Sequence, residues 1–354
     1  MVSFAGFSMP VQYKQSIKDS HLYTRSNASM FDVSHMLQTK VTGKDRIAFI
    51  ESLTVADVKS MNDNQSVLSL FTNTSGGIED DLIITRTENY LFLVSNAGRI
   101  DRDKELLEDQ ANKFRGDGRE VIIEYLQDNY SLLALQGPLS QTILQKALKY
   151  DLSQQKFMTS RATEVLDIPN CRVTRCGYTG EDGFEISVPN QHVESVAQFL
   201  TECGVWLAGL GVRDSLRLEA GLCLYGNDID EKTTPVEAGL VWTIGKGRRV
   251  AADFPGAGVI LKQIKEKPKR KRIGLVALEA GAAARHGASI EWNGKPVGIV
   301  TSGCPSPSLS KNIAMAYVES TASVVGNQLH CVQRGKRVAH QVVKMPFVPS
   351  KYFV

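Results

Sequence analysis

No stretch of the chain approaches the roughly 18 uninterrupted apolar residues that a membrane-spanning helix needs, so no such helix is expected. Charge of one sign is also missing. A formal net charge of +3 over 354 residues gives no electrostatic case for binding nucleic acid at large. The six cysteines form no C-x-x-C pair and no Cys/His ligand spacing, which argues for isolated thiols in a reducing compartment and against a zinc site. There is no P-loop, no G-x-S-x-G elbow, no H-E-x-x-H and no strand–turn–helix carrying G-x-G-x-x-G. Gly177-x-x-Gly180-x-x-Gly183 imitates a phosphate loop but lies between two apparent strands, where a hairpin is the expected structure. The histidines share no spacing and read as structural. Internal repeats and low-complexity segments are absent, and Met1-Val2-Ser3-Phe4 opens in apolar sequence without signal- or transit-peptide character.

What remains is a chemistry of carboxylates, arginines and an asparagine. Its centre is Phe71–Ile84, a glycine turn that feeds a strand. Gly76-Gly77 permits positive φ or close backbone approach, Glu79, Asp80 and Asp81 mark the junction, and Leu82-Ile83-Ile84 continues as a buried strand. Side chains alternate along a strand, so Asp80 and Asp81 cannot both face one site.

Around this stretch the pattern is mixed. Thr42–Val55 has helical spacing of Ile47, Ile50, Leu53 and Val55; Tyr90–Ser95 is a strand paired with Leu82–Thr85; Asp101–Phe114 is a charged amphipathic helix. Tyr130–Gln136 is a strand stopped by Gly137-Pro138, and Leu139–Leu148 a helix after it. Cys171–Tyr178 and Phe184–Val188 read as joined strands, with Glu185 and Ser187 opposite an apolar face. Val193–Leu200 and Val212–Ala220 are helices, the second placing Arg213 and Arg217 one turn apart. Strands interspersed with helices and hairpins indicate an α+β fold in layers.

From about residue 271 the helical period gives way to short β segments. Asn293-Gly294 and Arg334-Gly335 are hairpin turns, Ser302–Ser308 is expected as a rigid loop, and a small antiparallel barrel or jelly roll is the natural reading of 271–354. The division is therefore 1–270, as two interleaved α+β subdomains, and 271–354. Between them Lys262, Lys265, Lys267, Lys269, Arg270, Lys271 and Arg272 face only Glu266. This cluster is either a solvated linker or a docking patch for an acidic partner.

Several motifs in order carry a resemblance. They are Phe31-Asp32-Val33-Ser34-His35-Met36, Gly76–Leu82, Cys176–Glu185, Val212–Leu222, Thr301–Pro307 and Lys344-Met345-Pro346-Phe347-Val348-Pro349. Over essentially the whole chain they resemble the T-protein of the glycine cleavage system, a tetrahydrofolate-dependent aminomethyltransferase, most closely its mitochondrial form. The resemblance implies three domains around a central folate channel, with the barrel as the third. It implies release of ammonia from the aminomethyl-lipoyl arm of H-protein and formation of 5,10-methylenetetrahydrofolate, with tetrahydrofolate as co-substrate and no metal. Lipoylated H-protein is the implied partner, with Lys269, Arg270, Lys271 and Arg272 as a docking patch, and neither nucleic acid nor membrane is expected. A mitochondrial matrix location follows, the transit peptide being absent from this chain.

Residue by residue, the family pattern makes Asp81 the catalytic aspartate, orienting the folate nitrogens and steadying positive charge on the transferred carbon, or acting as general base. Glu185 matches the pterin-binding glutamate, and a carboxylate suits the two adjacent donors of a pterin edge. Arg213 matches the folate-binding arginine, with Arg217 structural. Tyr178 and Asn96 match pocket positions, Met36 an apolar wall and Tyr352 a folate contact near the C-terminus. Two departures stand out: family members generally carry extra residues before Phe4-Ala5-Gly6, and Gly281-Ala282-Ala283-Ala284 is unusual. Two relatives by fold are alternatives. The folate domain of dimethylglycine or sarcosine dehydrogenases would bring a flavin fingerprint. A folate-binding iron–sulfur assembly protein would carry K-G-C-Y-x-G-Q where this chain has Arg175–Glu181.

Overall fold

The computed structural model describes residues 1–354. A hairpin of β1 (Val2–Phe4) and β2 (Phe7–Met9) precedes helix α1 (Ile17–Ser26) and strand β3 (Ser29–Asp32). Ser16 caps α1 reciprocally with Asp19: its Oγ accepts from the Asp19 amide at 3.1 Å and donates to the carboxylate at 2.6 Å. The chain then builds a complete first sheet from β4 (Leu37–Thr42), α2 (Arg46–Glu51), β5 (Ser66–Thr72), β6 (Ile78–Arg86), β7 (Leu91–Ser95), α3 (Ile100–Gly116) and β8 (Ile122–Tyr125). The strand order is β5-β6-β7-β4-β8 and every pairing is antiparallel. Helix α3 lays Leu107, Ala111 and Phe114 on this sheet together with Phe49 and Ile50 of α2. The α2 region is shorter than its apolar spacing suggests. Leu53 and Val55 are buried beyond the helix end, and Thr42 belongs to β4.

The second sheet combines β9 (Tyr130–Gln136), β10 (Thr159–Val165), β11 (Ile168–Arg175), β12 (Gly183–Pro189) and β13 (Trp206–Leu207) with β3, in the order β10-β11-β12-β9-β3-β13. Since β3 precedes the first sheet in sequence and pairs with β9 after it, the first layer is inserted into the second. Helices α4 (Ser140–Leu144), α5 (Val193–Glu202) and α6 (Leu210–Glu219) cover this part. The expected helix 139–148 ends at Leu144, and a 3-10 turn, Gln145–Ala147, follows. Strands β11 and β12 pair antiparallel across the glycine-rich turn, as a hairpin requires.

After α7 (Lys246–Ala251) and α8 (Ala257–Glu266), six strands close a barrel: β14 (Arg270–Ala277), β15 (Ser289–Trp292), β16 (Lys295–Ser306), β17 (Lys311–Glu319), β18 (Gln328–Gln333) and β19 (Lys336–Val343). The segment 302–308, expected as a loop, is strand as far as Ser306. A bulge between Val300 and Ser302 re-registers β16 on β17, which lets the Pro-containing end stay paired. The basic cluster is a linker only in part. Lys262 and Lys265 lie on α8, Lys267 and Lys269 in the short connection after it, and Arg270, Lys271 and Arg272 start the barrel. Arg270 pairs with Glu237 at 3.0 Å and lies 5.0 Å from the Tyr317 ring centroid. Arg272 donates to the carbonyls of Ala238 (2.8 Å) and Gly221 (2.9 Å).

Candidate active site

The two sheets, the 220–245 connection, the start of the barrel and the C-terminal tail enclose a cavity of about 1470 Å³. That exceeds the ~300–1,000 Å³ of an ordinary small-molecule site, so it has room for more than one reactant. Asp81, Glu185, Arg213, Tyr178, Asn96, Met36 and Tyr352 all line it. The structure therefore brings together every candidate residue, drawn from segments as distant as 36 and 352.

The acids at the head of β6 separate by strand alternation and burial. Gly76 has φ +82°, and a Cβ on Gly77 would meet the Glu231 carbonyl at 1.8 Å, so the turn admits only glycine there. Glu79 points to Arg102 (3.0 Å) and Arg99 (3.2 Å). Burial alone would lift its carboxyl, but the Arg102 bond and charge hold it below the usual range. Asp80 is fully buried beneath the strand, whereas Asp81 faces the cavity. Asn96, at the end of β7, joins the two aspartates. Its Nδ2 donates to Asp81 Oδ1 (2.7 Å), Asp80 Oδ1 (2.9 Å) and the Asp81 carbonyl (3.1 Å), and its backbone N–H donates to Asp80 Oδ2 (3.1 Å). Burial, and then the neighbouring Asp80 carboxyl, push Asp81 up to about 7.

On β12, Phe184, Ile186 and Val188 enter the core of the second sheet and leave Glu185 on the cavity side. Burial raises the Glu185 carboxyl, partly offset by the Arg213 charge and the Cys176 thiol beside it. Helix α6 divides its two arginines. Arg217 is spent inside the protein, on Asp214 (2.8 Å), Asp228 (2.6 Å) and Ser302 (2.9 Å). Arg213 instead lies over the Tyr178 ring, 4.6 Å from its centroid, and turns its guanidinium to the cavity. Tyr178 is held by a hydrogen bond from its hydroxyl to the Cys223 carbonyl. The tail closes one side: Tyr352 stacks on Phe157 at 4.1 Å, and the Lys351 amide donates to the Gly180 carbonyl at 2.8 Å.

Residues 1–248 match the family model "GCVT N-terminal domain", and 270–349 match "Glycine cleavage T-protein C-terminal barrel domain". The chain is 54% identical to mitochondrial aminomethyltransferase of Gallus gallus over 100% of this chain and 90% of that protein. Identity to the human mitochondrial aminomethyltransferase is also 54%, over 100% and 87%. The crystal structure of glycine cleavage system aminomethyltransferase T from Bartonella henselae superimposes with a TM-score of 0.92 at 38% identity, covering 100% of this chain and 95% of that one.

The chain belongs to the glycine cleavage T-protein family. It is a folate-dependent aminomethyltransferase of the glycine cleavage system. Within this T-protein site, sequence reasoning missed several groups. His35, next to Met36, also lines the cavity; burial and the Arg213 charge push it down to about 4, so its imidazole is neutral. Arg272 and Cys176 line the cavity as well. Asp103 of α3 lies beneath Asp80, fully buried. The signal for it was legible: an acid shares the inward stripe with Leu107, Ala111 and Phe114. No helix is long and apolar enough to cross a membrane, and no group of three His, Cys, Asp or Glu is arranged to hold a metal ion.

Proposed function

We propose that the cavity binds tetrahydrofolate together with the aminomethyl-lipoyl arm of H-protein, with Asp81 as the catalytic group. The observation that carries this reading is the convergence of Asp81, Glu185 and Arg213 on one cavity large enough for both. The donor set fits folate: Glu185 offers two acceptor oxygens to a pterin edge, and Arg213, spending no hydrogen bond on the protein, is free for an anionic group. Tetrahydrofolate supplies the nitrogens that take up the one-carbon unit as ammonia leaves. Asp81 supplies a carboxylate whose raised pKa suits it to accept and return a proton near neutral pH, and Asn96 holds it in place. Tyr178 and Tyr352 form aromatic walls, and Met36 an apolar one, that limit water in the site.

For docking of H-protein, Arg270 and Arg272 are engaged by Glu237 and by backbone carbonyls, which leaves Lys269, exposed just before the strand, and the half-buried Lys271 as the charges of that patch outside those contacts. The mitochondrial matrix is the proposed compartment, in line with the names of the relatives. The decisive experiment is ammonia release from aminomethylated H-protein with and without tetrahydrofolate. Release is expected only with tetrahydrofolate; release indifferent to it would refute the reading.

A further inference from the structure

Beneath the cavity lies a row of three carboxyls: Asp81 lining the site, Asp80 behind it, and Asp103 of α3 beside Asp80. Asp80 and Asp103 are both fully buried. Their carboxyls are close neighbours with no cation between them, and the Ser95 hydroxyl also lies beside Asp103. No well-formed hydrogen bond from a fixed donor reaches either Asp103 oxygen. Asp80, by contrast, accepts two bonds from Asn96, the same residue whose amide holds Asp81. Two facing buried carboxyls cannot both be ionised, and the donor that Asp103 lacks is a proton on its neighbour.

We infer that Asp103 holds a proton on Asp80, so that the carboxyl sharing Asn96 with Asp81 stays neutral while Asp81 ionises. Asp103 is thus a positioning residue that acts on Asp81 through Asp80. The inference rests on the reading of Asp81 as the reacting carboxylate. The groups around the row agree with this assignment. Asp80 is displaced well upward by burial and by Asp103. The nearest cations are Arg99, after β7, toward Asp103 and Arg213 of α6 toward Asp81. Glu79 is occupied by Arg99 and Arg102. Tyr225, Tyr178, Cys223 and Tyr125, facing the row from the remaining elements, are all displaced upward by burial and stay neutral. While Asp80 keeps its proton, the elevation of Asp81 rests on burial, and the repulsion from Asp80 is withdrawn.

The test reads Asp81 itself, by ¹³C-carboxyl titration of aspartate-labelled protein, with its resonance assigned by loss in D81N. In D103N the proton trap is gone, Asp80 ionises beside Asp81, and the Asp81 midpoint is expected to rise by about one pH unit, a tenfold change in its proton affinity. The double variant D80N/D103N removes that charge and should return the midpoint to the wild-type value or below. A midpoint unmoved or lowered in D103N, or still raised in the double variant, overturns the inference. Infrared spectra cover the case in which D103N does not fold. A buried protonated carboxyl should persist in the wild type at about pH 8 and be missing from D80N; its absence from the wild type is equally fatal. Turnover against pH is recorded separately. If the Asp81 resonance moves while the rate profile does not, the proton trap stands and the catalytic reading of Asp81 falls.

Discussion

The Arg213 guanidinium lies over the ring of Tyr178, 4.6 Å from its centroid, while Arg217 one turn later is consumed by Asp214, Asp228 and Ser302. The helix thus holds one arginine for the cavity and one for the fold. Arg213→Ala is expected to weaken tetrahydrofolate binding by roughly 10–100-fold, the loss of a charge-assisted contact, with little change in melting temperature. Arg217→Ala should instead lower the melting temperature, because it strands the buried Asp228 carboxylate. Calorimetric titration and thermal melts separate the two; equal effects on binding would remove the distinction.

Asp81→Asn keeps the shape and removes the proton acceptor. Turnover should fall by about 10²–10⁴-fold while the folate dissociation constant changes less than about threefold. The wild-type rate should fall as pH drops and Asp81 is protonated, with a midpoint above the ordinary 3.8 and at or below about 7. A profile flat from about pH 3 to about pH 8 would show that the ionised carboxylate is not required.

Glu185→Gln leaves one acceptor where a pterin edge needs two. Binding of tetrahydrofolate should weaken by about 10–100-fold, with turnover at saturation less affected. An unchanged dissociation constant would move the pterin elsewhere in the cavity.

Charge reversal at Lys269 and Lys271 should slow association with lipoylated H-protein several-fold at low ionic strength, and the effect should fade with added salt. Folate binding should be unaffected, since neither lysine lines the cavity. Stopped-flow association across a salt series tests this, and salt-independent rates would exclude the patch.

Glu219 ties three parts of the chain together. It meets His21 of α1 (3.0 Å), Arg25 (2.8 Å) and the hydroxyls of Ser306 (2.5 Å) and Ser308 (2.8 Å). Burial opposes its ionisation, but the His21 and serine contacts hold it down at about 2. A depressed carboxyl stabilises the fold above its unfolded value of 4.5 and loses that contribution as pH falls toward 2. Glu219→Gln should therefore cost roughly 3 kcal/mol near pH 7, and the gap to wild type should narrow below pH 4.5 in denaturant titrations.

Much of this was legible in the sequence. Alternation along Phe184–Val188 isolates Glu185 on the polar face, the turn after Tyr130–Gln136 is written in Gly137-Pro138, and the two hairpin signals beyond 271 mark strands that do close a barrel. The family motifs name the cavity residues before any geometry is known. Local pattern misled where tertiary contacts act. Leu53 and Val55 are buried without being helical, the bulge at Val300 keeps a Pro-containing segment in a strand, and a run of basic residues divides among a helix, a short connection and the first barrel strand, where Arg270 and Arg272 are taken up by Glu237 and backbone carbonyls.

The glycine turn and its acids show the division most clearly. Sequence alone determined that Asp80 and Asp81 face opposite ways, because side chains alternate on any strand. Only the tertiary structure decided what each meets. Asp81 reaches a cavity, Asp80 is sealed against an acid 23 residues later on another element, and Asn96 bridges the pair. Proton affinity depends on burial and on charges brought near by the fold. A sequence therefore carries the identity of its acids but not their strength.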